Sequence, residues 1–132
     1  NKLTRICEFV FVFCRKDEYK TFLANKHIKS QSKTGQNHYE NIYNFIDAKN
    51  NDGANKLNKA TYSSELCEQL LSIYAKPNAI VYDNFNGTGT TGVACLKLGL
   101  NYIGSELSEE QCKFSIERLN NVLKEIEIAN VG

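Results

Sequence analysis

Residues 79–99 constrain the fold of this chain most, because a glycine-rich loop there joins an apolar run to a helix-like stretch. The run at 79–82 (Ala-Ile-Val-Tyr) predicts a buried strand, and the loop at 83–91 (Asp-Asn-Phe-Asn-Gly-Thr-Gly-Thr-Thr) follows it directly. Glycines at alternate positions let a ligand approach the backbone, and a helix N-terminus offers free N–H groups. The loop therefore predicts a site for a nucleotide-like or carboxylate-bearing ligand.

The segments on either side of this loop predict a βαβ unit with flanking helices. Residues 64–75 have apolar side chains at helical spacing behind a serine N-cap, Ser63 or Ser64. Residues 101–106 predict a second strand, and the capping box at 108–111 predicts a helix to about residue 128, with an apolar stripe at positions 112, 116, 119, 123 and 126. Two strands joined through a helix are expected to run parallel, with their ligand beyond the carboxyl ends.

The first third of the chain is less regular. Residues 6–13 are β-branched and aromatic and predict a buried strand, whereas the polar stretch at 25–40 predicts a mobile loop. Residues 15–59 contain nine basic and five acidic residues, and residues 60–132 contain five basic and nine acidic residues. A basic excess suits phosphate contacts, but a solvated polar insertion explains the charges equally well.

Aromatic residues are interleaved with this basic segment. They are compatible with phosphate and groove contacts, and the alternative is that they fill a small local core. The residues concerned are Tyr19, Phe22, Tyr39 and Tyr43.

The composition excludes several classes of protein. The 132 residues suffice for one domain, no apolar run approaches the roughly 18 residues of a membrane span, and the start lacks a secretory signal pattern. Five cysteines without C-x-x-C spacing and two isolated histidines predict no metal site. We therefore expect a cytoplasmic protein, and the opening Asn1-Lys2 suggests a fragment.

The loop residues allow more than one reading. Gly87-x-Gly89-x-x-Gly92, followed by Glu106, formally matches the fingerprint of an NAD-type oxidoreductase, although four residues (83–86) separate the strand from Gly87. A glycine-rich connector without a ligand is the other alternative. Likewise, Asp83 suits either a structural loop cap or a bond to a ligand amine. Glu106 suits either ribose hydroxyls or an exposed strand end.

Three motifs in order carry a family resemblance. Asp83-x-Phe85-x-Gly87-x-Gly89-Thr90-Thr91 and the stretch 102–108 (Tyr-Ile-Gly-Ser-Glu-Leu-Ser) resemble motifs I and II of S-adenosylmethionine-dependent DNA amino-methyltransferases. The segment 58–66, which contains Ala60-Thr61, resembles motif X, and its place before motif I indicates the permuted β-class order. The resemblance implies a partial Rossmann-like methyltransferase sheet, three-layered (αβα) and incomplete in this chain.

The resemblance also assigns roles along the chain. It implies one partial methyltransferase domain over 1–132, with a target-recognition segment at 15–57 and a cofactor-binding half at 58–128. S-adenosylmethionine is the implied cofactor: Glu106 would bind its ribose, the 87–89 loop and Phe85 would wall it, and Asp83 and Thr91 would hold its methionine portion together with 60–61. The full set of implied cofactor residues is Ala60, Thr61, Asp83, Phe85, Gly87, Gly89, Thr90, Thr91, Glu106 and Leu107.

One departure from the family limits the expected activity. The catalytic Asp/Asn/Ser-Pro-Pro-aromatic signature is absent, because Pro77 is the only proline. No catalytic residue is assigned, and the chain by itself is not expected to methylate. We expect part of an enzyme that methylates an exocyclic base amine of double-stranded DNA, with N6-adenine favoured over N4-cytosine. A missing N-terminal half or another copy of the chain would be its partner, and a non-catalytic remnant or partner subunit is the alternative.

Overall fold

The computed structural model describes residues 8–20, 23–53, 57 and 61–131, and these form a hairpin and a βαβ unit with two further helices. In chain order the elements are β1 (Ile28–Gln31), β2 (Asn37–Tyr39), α1 (Ser64–Tyr74), β3 (Ile80–Asp83), α2 (Thr90–Lys97), β4 (Asn101–Gly104) and α3 (Glu109–Val131). This mixture of helices and small sheets agrees with the α/β class that the sequence predicts.

The strands β3 and β4 pair in parallel, as the sequence predicts. Their register places Ile80 opposite Asn101 and Asp83 opposite Gly104. The pairing continues past the strands, because the Ser105 N–H donates to the Asp83 carbonyl oxygen over 2.9 Å. The ends of both strands, and the loops that follow them, therefore lie at one edge of the sheet.

Helix α2 is the centre of the packed core. Its residues Val93, Ala94 and Cys95 are buried, and the helix contacts α1, α3 and β4. A Cβ atom added at Gly92 would lie 2.8 Å from the Tyr102 ring and 2.9 Å from the Leu119 side chain. The missing side chain at position 92 thus allows α2 to pack closely against both β4 and α3.

Serine side chains begin two of the helices where the sequence predicts them. The Ser63 Oγ accepts from the Leu66 N–H over 3.2 Å at the start of α1, and the Ser108 Oγ accepts from the Gln111 N–H over 3.3 Å at the start of α3. Both bonds satisfy donors that have no partner within the helix. Of the predicted α3 stripe, Ile116 and Leu123 are exposed, because the packed face passes through the buried Ser115 instead.

The strand predicted at 6–13 is wrong for the residues that the structure describes. Residues 8–13 are exposed and pair with no other described strand, although the ring of Phe11 lies near the rings of Phe9 and Phe13. A strand needs a neighbour for its backbone N–H and C=O groups, and an apolar composition does not supply one. Residues 6 and 7 lie outside the described ranges.

The mobile loop predicted at 25–40 is also wrong. Strands β1 and β2 form an antiparallel hairpin there, with Gln31 opposite Asn37 and Gly35 in the connecting turn at a φ of 84°. The hairpin could not be predicted from the pattern of apolar residues, because neither strand buries an apolar face and so neither has an alternating apolar pattern. The predicted local aromatic core is absent from the described part of this segment, where Tyr19, Tyr39 and Tyr43 are exposed. Phe22 lies outside the described residues.

One face of the β3–β4 sheet is open to solvent. Ile80, Tyr82 and Ile103 point to the same side, since Tyr82 pairs with Ile103, and each is more than half exposed. The described residues place only two strands in this sheet. Within these ranges no helix is both long and apolar enough to cross a bilayer.

Replacement of Gly92 by alanine is expected to destabilise the chain by about 1–3 kcal/mol through overpacking. Helix propensity alone would favour alanine over glycine by about 1 kcal/mol. Any loss of stability in the variant is therefore due to steric overlap of the new methyl group with Tyr102 and Leu119. Urea unfolding provides the measurement. The control is Gly99→Ala, which has open space around its Cβ and a φ of 65°, and so isolates backbone strain. A Gly92→Ala variant as stable as the parent would contradict the close packing of α2.

Candidate functional site

Asp83 joins the end of β3 to the start of α2. Its Oδ2 accepts a hydrogen bond of 2.6 Å from the Thr91 hydroxyl, and its Oδ1 accepts one of 3.0 Å from the Phe85 N–H. The aspartate at the strand end therefore fixes the first residues of the loop and the first turn of the helix together. Its role as a loop cap, one of the two expected from the sequence, is visible in these bonds.

Tyr62 completes this cluster from the segment before α1. Its hydroxyl shares a hydrogen bond of 2.8 Å with Thr91 and lies 3.5 Å from the Asp83 Oδ2. Burial of the hydroxyl raises the pKa of Tyr62 to about 12, so the phenol is neutral at physiological pH. Tyr62 is not among the site residues predicted from the sequence, although its place next to Thr61 in the motif X segment is a signal for it. Thr61 is half-buried beside it, and Ala60 lies outside the described residues.

Glu106 connects the loop after β3 with the loop after β4. One carboxylate oxygen accepts from the Ser108 N–H over 2.9 Å, and the other accepts from the Gly87 N–H over 2.8 Å. These backbone donors lower the pKa of Glu106 below its ordinary value, because they stabilise the charged carboxylate. Each oxygen has a second lone pair that a ligand hydroxyl could use.

The glycines of the loop adopt conformations that other residues rarely reach. Gly87 has a φ of 52°, and Gly89 has a φ of 79° and forms the N-cap of α2 without any side-chain cap. A Cβ atom at Gly89 would lie 2.6 Å from the Ser115 Oγ on α3. The Val93 N–H bonds the Gly89 carbonyl, so the N–H groups of the first turn have no acceptor within the helix.

Asn86 holds the loop against the packed elements. Its amide nitrogen donates to the Ser115 Oγ over 3.0 Å, and its amide oxygen accepts from the Tyr102 hydroxyl. Burial raises the pKa of Tyr102 above its ordinary value, so this phenol also stays protonated and donates. Asn86 and Ser115 are not among the site residues predicted from the sequence, since neither residue type indicates a ligand.

The predicted site residues fall into two groups in space. Phe85 is 83% exposed and Leu107 is fully exposed, and each lies beside a carboxylate that is bound to the loop, Asp83 or Glu106. Thr90, in contrast, is buried, and its hydroxyl accepts from the α3 residue Arg118 over 3.1 Å. Most predicted residues thus gather at the edge where β3 and β4 end, whereas Thr90 bonds toward α3.

Among the described residues, no group of three or more His, Cys, Asp or Glu side chains is placed to hold a metal ion. The polar groups at this edge are instead carboxylates, hydroxyls and backbone N–H groups. Such groups bind an organic ligand that carries hydroxyl, amine or carboxylate functions.

Replacement of Thr91 by valine is expected to cost about 1–3 kcal/mol of stability, because the shape is kept while Asp83 and Tyr62 lose their shared partner. The matched control is Thr91→Ser, which retains the hydroxyl and should preserve most of the stability. Chemical denaturation of both variants gives the difference. A valine variant as stable as the parent, beside a destabilised serine variant, would show that the methyl group, and not the hydrogen bonds, matters at this position.

Comparison with known proteins finds similar sequences among DNA methyltransferases. The Type II methyltransferase M1.MboII of Moraxella bovis is 36% identical over 64 residues, which cover 48% of this chain and 23% of that protein. The Type II methyltransferase M.Cfr9I of Citrobacter freundii is 28% identical over 116 residues, which cover 88% of this chain and 37% of that protein. The chain thus spans well under half the length of these two relatives.

A solved structure shows the same fold. The PvuII DNA methyltransferase (cytosine-N4-specific) superimposes with a TM-score of 0.50 at 18% identity, over 64% of this chain and 38% of that one. The N6/N4 DNA methylase family, whose members use S-adenosylmethionine, has a model that matches residues 1–117. Since that match takes in nearly the whole sequence, the chain belongs to the DNA methylase family.

Proposed function

We propose that this chain binds S-adenosylmethionine at the edge where β3 and β4 end, through its half from residue 58 to residue 128. The observation that carries the proposal is the bonding of Glu106 to the Gly87 N–H over 2.8 Å. This bond places a charged carboxylate from the second strand end directly beside the glycine loop of the first. A nucleoside with two ribose hydroxyls fits a carboxylate in that position.

The surrounding residues supply the remaining functions of such a site. Phe85 and Leu107 are exposed apolar side chains beside the two carboxylates and would cover the cofactor. Asp83 and Thr91, joined by a 2.6 Å hydrogen bond, would receive the amine and carboxylate of the methionine portion with the segment at 60–61. The cofactor supplies the activated methyl group, and these residues bind and orient it.

The NAD-type alternative fits the loop less well. A dinucleotide fingerprint begins with a glycine directly at the strand end, where the backbone approaches a pyrophosphate. Here Asp83 ends the strand and both of its oxygens bind the loop and α2, which puts negative charge where the pyrophosphate would lie. Like charges at short distance disfavour that ligand.

We expect S-adenosylmethionine to raise the melting temperature of the chain, and NAD to leave it unchanged. Glu106→Gln should weaken the binding of S-adenosylmethionine by about 10- to 100-fold, the usual value of a hydrogen bond to a charged group. Titration calorimetry measures the affinity. Glu109→Gln is the matched control, because it removes the same charge from an exposed residue three positions away that pairs only with Lys113. Stabilisation by NAD alone would overturn the proposal.

We further propose that the whole protein methylates an exocyclic amine of a base in duplex DNA, with the N6 of adenine favoured. In that reaction the amine nitrogen would take the methyl group as its bond to the cofactor sulfur breaks, leaving a thioether, and the nitrogen would lose one proton. The enzyme would contribute mainly alignment and exclusion of water. Residues 15–57 would contribute to target recognition through their basic excess. The open sheet face at Ile80, Tyr82 and Ile103 would be covered by the missing N-terminal half or by another copy of the chain.

The chain extended by its upstream coding region should transfer methyl groups to duplex DNA, and the chain alone should not. The reason is that methylation of a base requires a pocket that receives the base after it is flipped out of the duplex. The Pro-Pro-aromatic motif associated with that pocket is absent from this sequence. Mass spectrometry of nucleosides from the treated DNA identifies the product. N4-methylcytosine as the product would contradict the adenine preference. Methyl transfer by the chain alone would contradict the proposal that the upstream part of the protein is needed for the reaction.

A further inference from the structure

Arg118 on α3 contacts the glycine loop at residues other than the one that Glu106 binds. Its Nη1 donates to the Thr88 carbonyl oxygen over 3.3 Å and to the Thr90 hydroxyl over 3.1 Å. Both acceptors belong to residues that are buried, Thr88 at 2% exposure and Thr90 at 5%. The guanidinium therefore supplies donors to groups that water does not reach.

The same guanidinium binds Asp52, which lies 66 residues earlier in the chain. The Arg118 Nη2 and the Asp52 Oδ2 are 2.9 Å apart, and the two side chains are only 24% and 31% exposed. Asp52 in turn accepts from the Ser64 N–H through both oxygens, over 3.0 and 2.9 Å, at the first residue of α1. A charged side chain there also interacts favourably with the positive end of the helix dipole.

The turn that carries Asp52 is attached to α1 by further bonds. The Ser63 hydroxyl donates to the Lys49 carbonyl over 2.7 Å, and the Lys49 N–H donates to the Glu65 carboxylate over 3.2 Å. Tyr62, one residue before this cap, contacts the Asp83 cluster. Arg118 and Asp52 thus connect α3, the loop and the segment before α1.

The loop peptide that Arg118 contacts is held from both ends. The Thr88 carbonyl accepts from Arg118, and the N–H of the same peptide, on Gly89, donates to the Asn86 carbonyl over 2.9 Å. Because a peptide unit is planar, these two bonds fix its orientation. Gly89 has a φ of 79°, where glycine has little steric preference of its own, so the orientation depends on such partners.

We propose that Arg118 is a positioning residue for the cofactor loop, and that Asp52 orients its guanidinium. The inference rests on the proposed binding of S-adenosylmethionine, because the loop conformation matters only to a ligand that contacts it. Arg118 holds the 88–89 peptide and the Thr90 hydroxyl, so that the loop presents Gly87 and its Glu106 partner in one arrangement. Asp52 connects Arg118 to α1, because it binds both the guanidinium and the Ser64 N–H at the start of that helix.

The first test measures the loop without any ligand. In Arg118→Gln, hydrogen exchange at the amides of residues 87–91 should accelerate, since the carbonyl oxygen of the 88–89 peptide loses the donor that holds it. Lys113→Gln on the same helix is the matched control, because its exposed ammonium pairs only with Glu109. Exchange that is the same in Arg118→Gln and in the parent would overturn the positioning role, whether or not the chain binds the cofactor.

The second test measures cofactor affinity by calorimetry, well below the melting temperature of every variant. Arg118→Gln should weaken the binding of S-adenosylmethionine about tenfold, the equivalent of one hydrogen bond to a charged group, and Arg118→Lys should restore part of it. Asp52→Asn should weaken it less, and the double variant should fall short of the sum of both losses. A lower melting temperature with unchanged affinity would reduce Arg118 to a purely structural role. Absence of binding in the parent protein would instead refute the proposed function.

Discussion

The hydrogen bond between the Thr91 hydroxyl and the Asp83 carboxylate is the contact on which the site depends. It spans the whole glycine loop, because its two ends are the last residue of β3 and the second residue of α2. Tyr62 adds the segment before α1 to the same pair of side chains. Three separate parts of the backbone are therefore placed by oxygen atoms within about one hydrogen-bond length of each other.

Backbone N–H groups hold the two carboxylates at this edge. Asp83 accepts from the Phe85 N–H, and Glu106 accepts from the N–H groups of Gly87 and Ser108, while the apolar Phe85 and Leu107 beside them are at the surface. Exposed apolar side chains beside satisfied carboxylates are typical of a surface that a ligand or a further part of the protein covers. The positive charge of Arg118 is paired with Asp52.

The βαβ unit was predictable from the sequence because its signals are local. A strand end, alternate glycines and a capping box each lie within a few residues, and the parallel pairing follows from the connection alone. Arg118 and Asp52 were not predictable as site residues, because they lie 66 residues apart in the chain and belong to no recognisable motif. The strand expected at 6–13 failed for the related reason that pairing depends on a neighbour, which composition does not reveal.

The hairpin segment is attached to α1 at both of its ends. Near the end of α1, Asn25 donates to the carbonyl oxygens of Ser72 and Ala75. At its start, Asp52 accepts from the N–H of Ser64, the first residue of the helix. The two ends of α1 are about 16 Å apart, at 1.5 Å per residue. The cost of closing a loop rises only with the logarithm of its length. The residues between these anchors can therefore be lengthened, shortened or exchanged, giving new surfaces, while the edge where β3 and β4 end stays unchanged.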